Sequence, residues 1–147
     1  MQSALRYLGY RPRSEAEVRR LLQQRGYLPA AADAAIRRLF SLNYLNDEDF
    51  ARNWARSRVQ DSGYGPRRIE QELRSKDIEP SIVRDAVREA FAPLDEATLA
   101  KRVLTKRFKS ANLKEPTALR RAASFLQRRG YSSKVIFDLL RYPIEDD

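Results

Sequence analysis

Apolar residues recur along this chain three or four positions apart, and the runs they form open and close on helix caps. Ser14 followed by Glu17 has capping-box spacing and predicts a helix with Val18, Leu21 and Leu22 on its buried stripe, stopping at Gly26. A second helix is expected from Ala31 to Leu42, with Ala35, Ile36, Leu39 and Phe40 inward. Asn46 to Asp49 supplies caps and negative charge for a third, whose apolar side carries Phe50, Ala51, Trp54, Ala55 and Val59. Gly63 and Gly65 break the chain. Pro66 then opens a helix around Ile69 and Leu73, and Pro80 another around Ile82, Val83, Ala86, Val87 and Phe91. Pro93 and Asp95 mark a junction before Leu99, Val103, Leu104 and Phe108, and residues 109–116 read as a polar loop. Helices over Thr117–Arg129 and Ser133–Tyr142 complete the pattern, and a short one at Ala4–Tyr10 brings the expected number to about nine.

These elements repeat. Arg25-Gly26-Tyr27, Lys76-Asp77-Ile78 and Arg129-Gly130-Tyr131 lie 51 and 53 residues apart, each a basic residue, a small one and an apolar one. Their apolar neighbours travel with them: Val18 and Leu22, Ile69 and Leu73, Ala122 and Leu126 on the upstream side. The expected organisation is three helical units, 1–45, 46–94 and 95–147, the last ending in the acidic stretch Glu145-Asp146-Asp147. Units of this size lie near the lower limit for an independent core, so neighbours should share packing.

Charge changes what such an array can meet. Twenty-nine Lys and Arg against twenty Asp and Glu leave a formal charge of +9, the footprint of a protein that lies along an extended anionic partner. With neither Cys nor His, the chain has no disulfide, no thiolate nucleophile, no Cys-based zinc site, and lacks the usual general base and the commonest metal ligand. No paired carboxylates stand apart from the helix-surface charges, so no enzyme, cofactor or metal site is expected. No apolar run approaches the roughly 20 residues that cross a bilayer, and a cytoplasmic protein is the default.

The densest candidate segment is Tyr64 to Lys76. Arg67, Gln71 and Arg74 fall along one helix edge while Ile69 and Leu73 point elsewhere, leaving a basic stripe; Lys76, also a candidate contact, ends the same segment. On the preceding helix Arg52 and Arg56 are four apart, with Arg58 on a neighbouring face. The competing reading pairs these cations with nearby acids on a solvated surface. Trp54 could stack on a base, but Phe50 one turn earlier favours a place in the core. Unit one offers Arg19, Arg20 and Arg25, and unit three a longer set that includes Arg102, Lys106, Arg107 and Arg129. Tyr64, flanked by glycines, is the tyrosine best placed for contact, whereas Tyr27 and Tyr131 read as packing between helices.

Asn43-Tyr44-Leu45-Asn46-Asp47, Phe50-Ala51, Ser57-Arg58, Gly63-Tyr64-Gly65-Pro66-Arg67-Arg68-Ile69, Glu72-Leu73 and Lys76-Asp77-Ile78 together resemble RecX, the family of bacterial regulators of the RecA recombinase. The resemblance departs at Asp77, where the family pattern usually has Gly, and no longer extension is expected ahead of the first unit. It implies an all-α fold, an elongated, curved array of three tandem three-helix repeats. It further implies a monomer that binds the RecA filament and its single- or double-stranded DNA and inhibits ATP hydrolysis, strand exchange and coprotease function, within DNA repair and the SOS response. Carried over, the motif puts Tyr64, Arg67 and Arg68, with Arg52, Arg56 and Arg58, among the contact residues. Replacing Arg67 and Arg68 together is expected to weaken binding and leave the fold largely intact. Two other readings stand beside this one: a non-specific nucleic-acid-binding helical protein, and an adaptor for an acidic protein.

Overall fold

The computed structural model describes residues 14–42 and 45–142, and the described residues form eight α-helices joined by turns, with no strand. Helices α1 (Glu15–Gln24) and α2 (Pro29–Ser41) belong to the first unit; the helix expected at Ala4–Tyr10 lies outside the described residues. The second unit holds α3 (Asp47–Ser57), α4 (Pro66–Ser75) and α5 (Pro80–Ala90). The third holds α6 (Glu96–Arg107), α7 (Pro116–Arg128) and α8 (Ser133–Leu140).

Local chemistry accounts for the boundaries. Ser14 Oγ accepts from Glu17 N–H at 3.2 Å, Asn46 Oδ1 from Asp49 N–H at 3.2 Å, and Asp95 Oδ1 from Thr98 N–H at 2.8 Å, each answering an amide that the helix leaves unpaired. The Thr98 bonds also hold the Asp95 carboxyl below its ordinary pKa. Pro29 and Pro116 take first-turn positions, so α2 and α7 begin two residues and one residue earlier than their apolar pattern indicates. Helix α3 does not stop at a cap. It widens into a π-helical turn, Arg58–Ser62, closed by Gly63 with φ 63° and by a bond from Tyr64 N–H to Arg58 O.

The three anchors are one motif built three times. In each, the last apolar residue accepts from the amide two beyond the cap: Leu22 from Tyr27, Leu73 from Ile78, Leu126 from Tyr131, at 3.0, 3.3 and 3.1 Å. The residue between is left-handed, Gly26 at φ 85°, Asp77 at φ 58° and Gly130 at φ 94°, which completes a Schellman turn. Asp77 therefore occupies a conformation in which a Cβ is crowded. Its carboxylate meets Arg20 at 3.2 Å, an exposed pair of small value. Asp77→Gly is expected to raise stability by about 0.5 kcal/mol, read as a higher urea midpoint with an unchanged slope.

Packing departs from the expectation of shared cores at one joint. The buried residues of units two and three form a single cluster, running from Phe50 and Ala51 through Ile69, Leu73 and Val83 to Leu126 and Ile136. Unit one keeps its own, with Val18, Leu22, Ala35, Ile36 and Leu39 at its centre. Polar contacts bridge the two clusters: Glu15 N–H donates to Asp47 Oδ1 at 3.0 Å, and Lys76 Nζ meets Glu17 Oε1 at 2.8 Å. Burial raises the pKa of Asp47 above the ordinary carboxylate value, against the lowering effect of that amide. Phe40, expected inward, is exposed, because Ile36 and Leu39 already fill the face that α2 turns to α1.

Candidate functional site

The chain between α3 and α4 is pinned to the turn between α7 and α8. Gly65 N–H donates to Arg129 O at 2.7 Å and Arg67 N–H to Gly130 O at 2.9 Å, so two segments of units two and three pair through their backbones. The Tyr131 hydroxyl donates to Gly63 O at 2.7 Å, and the Arg129 guanidinium donates to Ser62 O. Burial pushes the Tyr131 phenol well above its ordinary pKa, the nearby Arg129 charge pulling the other way, so it stays a donor. The approach is close enough to exclude side chains. A Cβ on Gly65 would lie 2.6 Å from the Gly130 carbonyl, and one on Gly130 would lie 2.4 Å from Arg68 N.

Cations and rings alternate beside this joint. The Arg68 guanidinium lies 3.7 Å from the centre of the Tyr64 ring, and Arg58 and Arg129 lie 5.8 and 5.6 Å from it. Arg58 also covers Trp54 at 4.4 Å, and Lys76 lies 4.5 Å from that indole. Trp54 stacks on Phe50 and donates from Nε1 to Glu72 Oε1 at 3.2 Å, the same oxygen that pairs with Arg58 at 3.3 Å. Trp54 is thus half-buried and packed against the core, its ring already engaged by Phe50, Arg58 and Lys76.

Of the residues singled out by sequence, Arg58, Tyr64, Arg68 and Lys76 come together in this row. Arg52 bridges Asp49 at 2.8 Å and Glu89 at 2.9 Å, and the Glu89 bond raises its pKa further. Arg56 is exposed and forms no ion pair among the described residues. Arg67 and Arg74 are exposed on α4, with Glu70 3.9 Å from Arg74. Arg68, half-buried, also donates to Arg128 O at 3.4 Å. Replacing Arg68 and Arg67 together therefore removes contacts at this joint as well as surface charge, whereas Arg67 is the more exposed of the two.

A groove of about 1080 Å³ separates α3 and its π-helical turn from α6 and α7. Arg52, Arg56 and Tyr64 line one wall, and Arg102, Lys106 and Arg129 the other. Sequence reading named the unit-three cations without assigning them to a site. Their signal was the i, i+4 spacing of Arg102 and Lys106, which puts both on one face of α6. None of Arg67, Arg68, Arg74 and Lys76 lines the groove.

A tandem array of helical units, cationic and joined by backbone pairing between the second and third, defines a class of helical-repeat protein. Profiles of the three RecX three-helix domains match in order, the first over residues 1–39, the second over 46–87 and the third over 95–140. The chain belongs to the RecX family. Regulatory protein RecX of Trichlorobacter lovleyi is 34% identical over 139 residues, covering 93% of this chain and 90% of that protein. Regulatory protein RecX of Vibrio parahaemolyticus is 34% identical over 145 residues, covering 99% and 92%. A crystal structure of regulatory protein RecX superimposes with a TM-score of 0.80 at 26% identity, covering 93% of this chain and 68% of that one. The crystal structure of RecX from Lactobacillus salivarius shares the fold, with a TM-score of 0.81 at 22% identity over 95% of this chain and 91% of that one. No described helix is long and apolar enough to cross a membrane.

Proposed function

We propose that this protein is a non-catalytic cytoplasmic regulator that binds the RecA filament with its DNA as a monomer and suppresses ATP hydrolysis, strand exchange and coprotease function. The observation that carries this reading is the ordered match of all three RecX domains along the chain. The surplus of cations supports a partner with regularly spaced negative charge. Within the set chosen from sequence, the exposed Arg56, Arg67 and Arg74 serve as contacts. Arg52, Arg58, Tyr64, Arg68 and Lys76 hold the surface in shape through the ion pairs and ring contacts described above.

The test is RecA ATPase on single-stranded DNA. Inhibition is expected well below one regulator per RecA, and Arg67→Ala with Arg74→Ala should raise the half-inhibitory concentration about tenfold with an unchanged melting temperature. The charge of +9 favours a second reading, a polyanion binder that merely covers DNA. Under that reading an unrelated DNA-dependent ATPase is suppressed equally and binding falls steeply with salt.

A further inference from the structure

The groove between units two and three has two kinds of surface. Its rim carries Arg56 on α3 and Arg102 and Lys106 on α6, all exposed and none in an ion pair among the described residues. Its floor is aliphatic, with Leu94 and Val103 half-buried and Val59 and Leu99 buried beside them. Counting the whole lining, six Lys and Arg face only Asp61 and Glu89, and Glu89 is already taken by Arg52. The volume lies at or above the roughly 300–1,000 Å³ of small-molecule sites, which suits a segment of chain.

From this we infer that the groove receives an acidic amphipathic helical segment of a protein partner, its apolar stripe on Leu94 and Val103 and its carboxylates against Arg56, Arg102 and Lys106. Charge complementarity selects the acidic flank. The aliphatic floor asks for side chains at i, i+3 and i+4, the spacing with which a helix fills a groove. A nucleic acid would use the rim alone, since single-stranded bases stack on open ring faces and both rings here already carry an arginine. Tyr64 lies under Arg68, and Phe125 has Arg129 5.0 Å from its ring centre and packs edge-to-face with Phe108, the two ring centres 5.7 Å apart. The π-helical turn sets this wall, because its wider backbone brings Gly63 against Val103, where a Cβ would lie 3.4 Å from the valine methyl. The inference rests on the filament reading in one respect: it assigns the groove to the protein part of that partner.

The experiment is fluorescence anisotropy on the full chain, with a labelled Glu/Leu peptide of about five helical turns, a scrambled peptide of the same composition, and an oligo(dT) strand. The amphipathic peptide should bind at least about tenfold more tightly than the scramble. Arg56→Glu, Arg102→Glu and Lys106→Glu together should weaken it at least about tenfold, and Arg102→Glu alone about threefold should the triple variant not fold. Reversing Arg37, Arg38 and Arg84, exposed cations outside the groove, gives the same net charge and should change binding less than about twofold. Equal affinity for the scramble, equal loss in the distant variant, or a groove variant that loses oligo(dT) more than peptide would overturn the assignment. RecA ATPase run alongside keeps the two ideas apart. Inhibition without peptide binding defeats the groove alone, and peptide binding without inhibition defeats the filament reading alone.

Discussion

Gly130→Ala is expected to cost about 4 kcal/mol, enough to leave a marginal protein of this size largely unfolded at moderate denaturant. Two effects add. The residue sits at φ 94°, where any L side chain is strained, by roughly 1–2 kcal/mol. The new methyl would also stand 2.4 Å from the backbone nitrogen and Cβ of Arg68, a contact that no rotamer change relieves. The turn must withdraw from α4. In doing so it loses the Gly65 and Arg67 amide bonds to Arg129 and Gly130, each worth about 1 kcal/mol, and drags the Tyr131 hydroxyl from Gly63. Gly26→Ala is the internal control. It changes the repeat-equivalent residue at φ 85°, with nothing within 4 Å of the new methyl, so only the backbone penalty of about 1 kcal/mol applies. Urea unfolding of the two variants measures the difference. Equal losses would mean that the contact between the third unit and α4 contributes nothing.

The two glycines also mark where sequence reading reaches its limit. Ser14, Asn46 and Pro66 announce helix starts, and the anchors at Gly26, Asp77 and Gly130 announce their ends, because a cap is decided by residues within one turn of it. Asp77 was legible as a strained substitute for glycine for the same reason. Gly65 and Gly130 both looked like turn residues, yet their mutual approach joins positions far apart in the chain, and a missing Cβ leaves no pattern of its own. Cations suffered the opposite ambiguity. Arg67 and Lys76 belong to one basic segment, but α4 exposes the first and turns the second toward Glu17, and only the packing of unit one against unit two decides between surface and joint. The groove was equally hidden. It needs α3 and α6 to face each other across a π-helical turn where a continuous α-helix was expected.

That division of labour among the lysines and arginines makes Lys76→Ala the second large effect, about 2 kcal/mol, and a localised one. The ammonium reaches Glu17 Oε1 at 2.8 Å while the two side chains are 20% and 8% exposed, so the pair is drier than any other ion pair among the described residues. Breaking a fully buried pair by removing one partner costs about 3–5 kcal/mol; the residual solvent access of Lys76 and the further interaction that Glu17 makes bring the figure down. The same nitrogen lies 4.5 Å from the Trp54 ring and 5.9 Å from Phe50, an attraction lost with it. Lys76→Met separates the contributions: it keeps an apolar stem over the rings, so a loss as large as that of alanine assigns the effect to charge. Because unit one has its own apolar cluster and meets unit two through such polar contacts, the damage should stay at that joint. Hydrogen exchange is expected to quicken in α1 and α2 and to stay unchanged in α7 and α8, which share the continuous core with α4 and α5. Uniform acceleration along the chain would mean that the first unit is held by more than this contact and that the protein unfolds as one block.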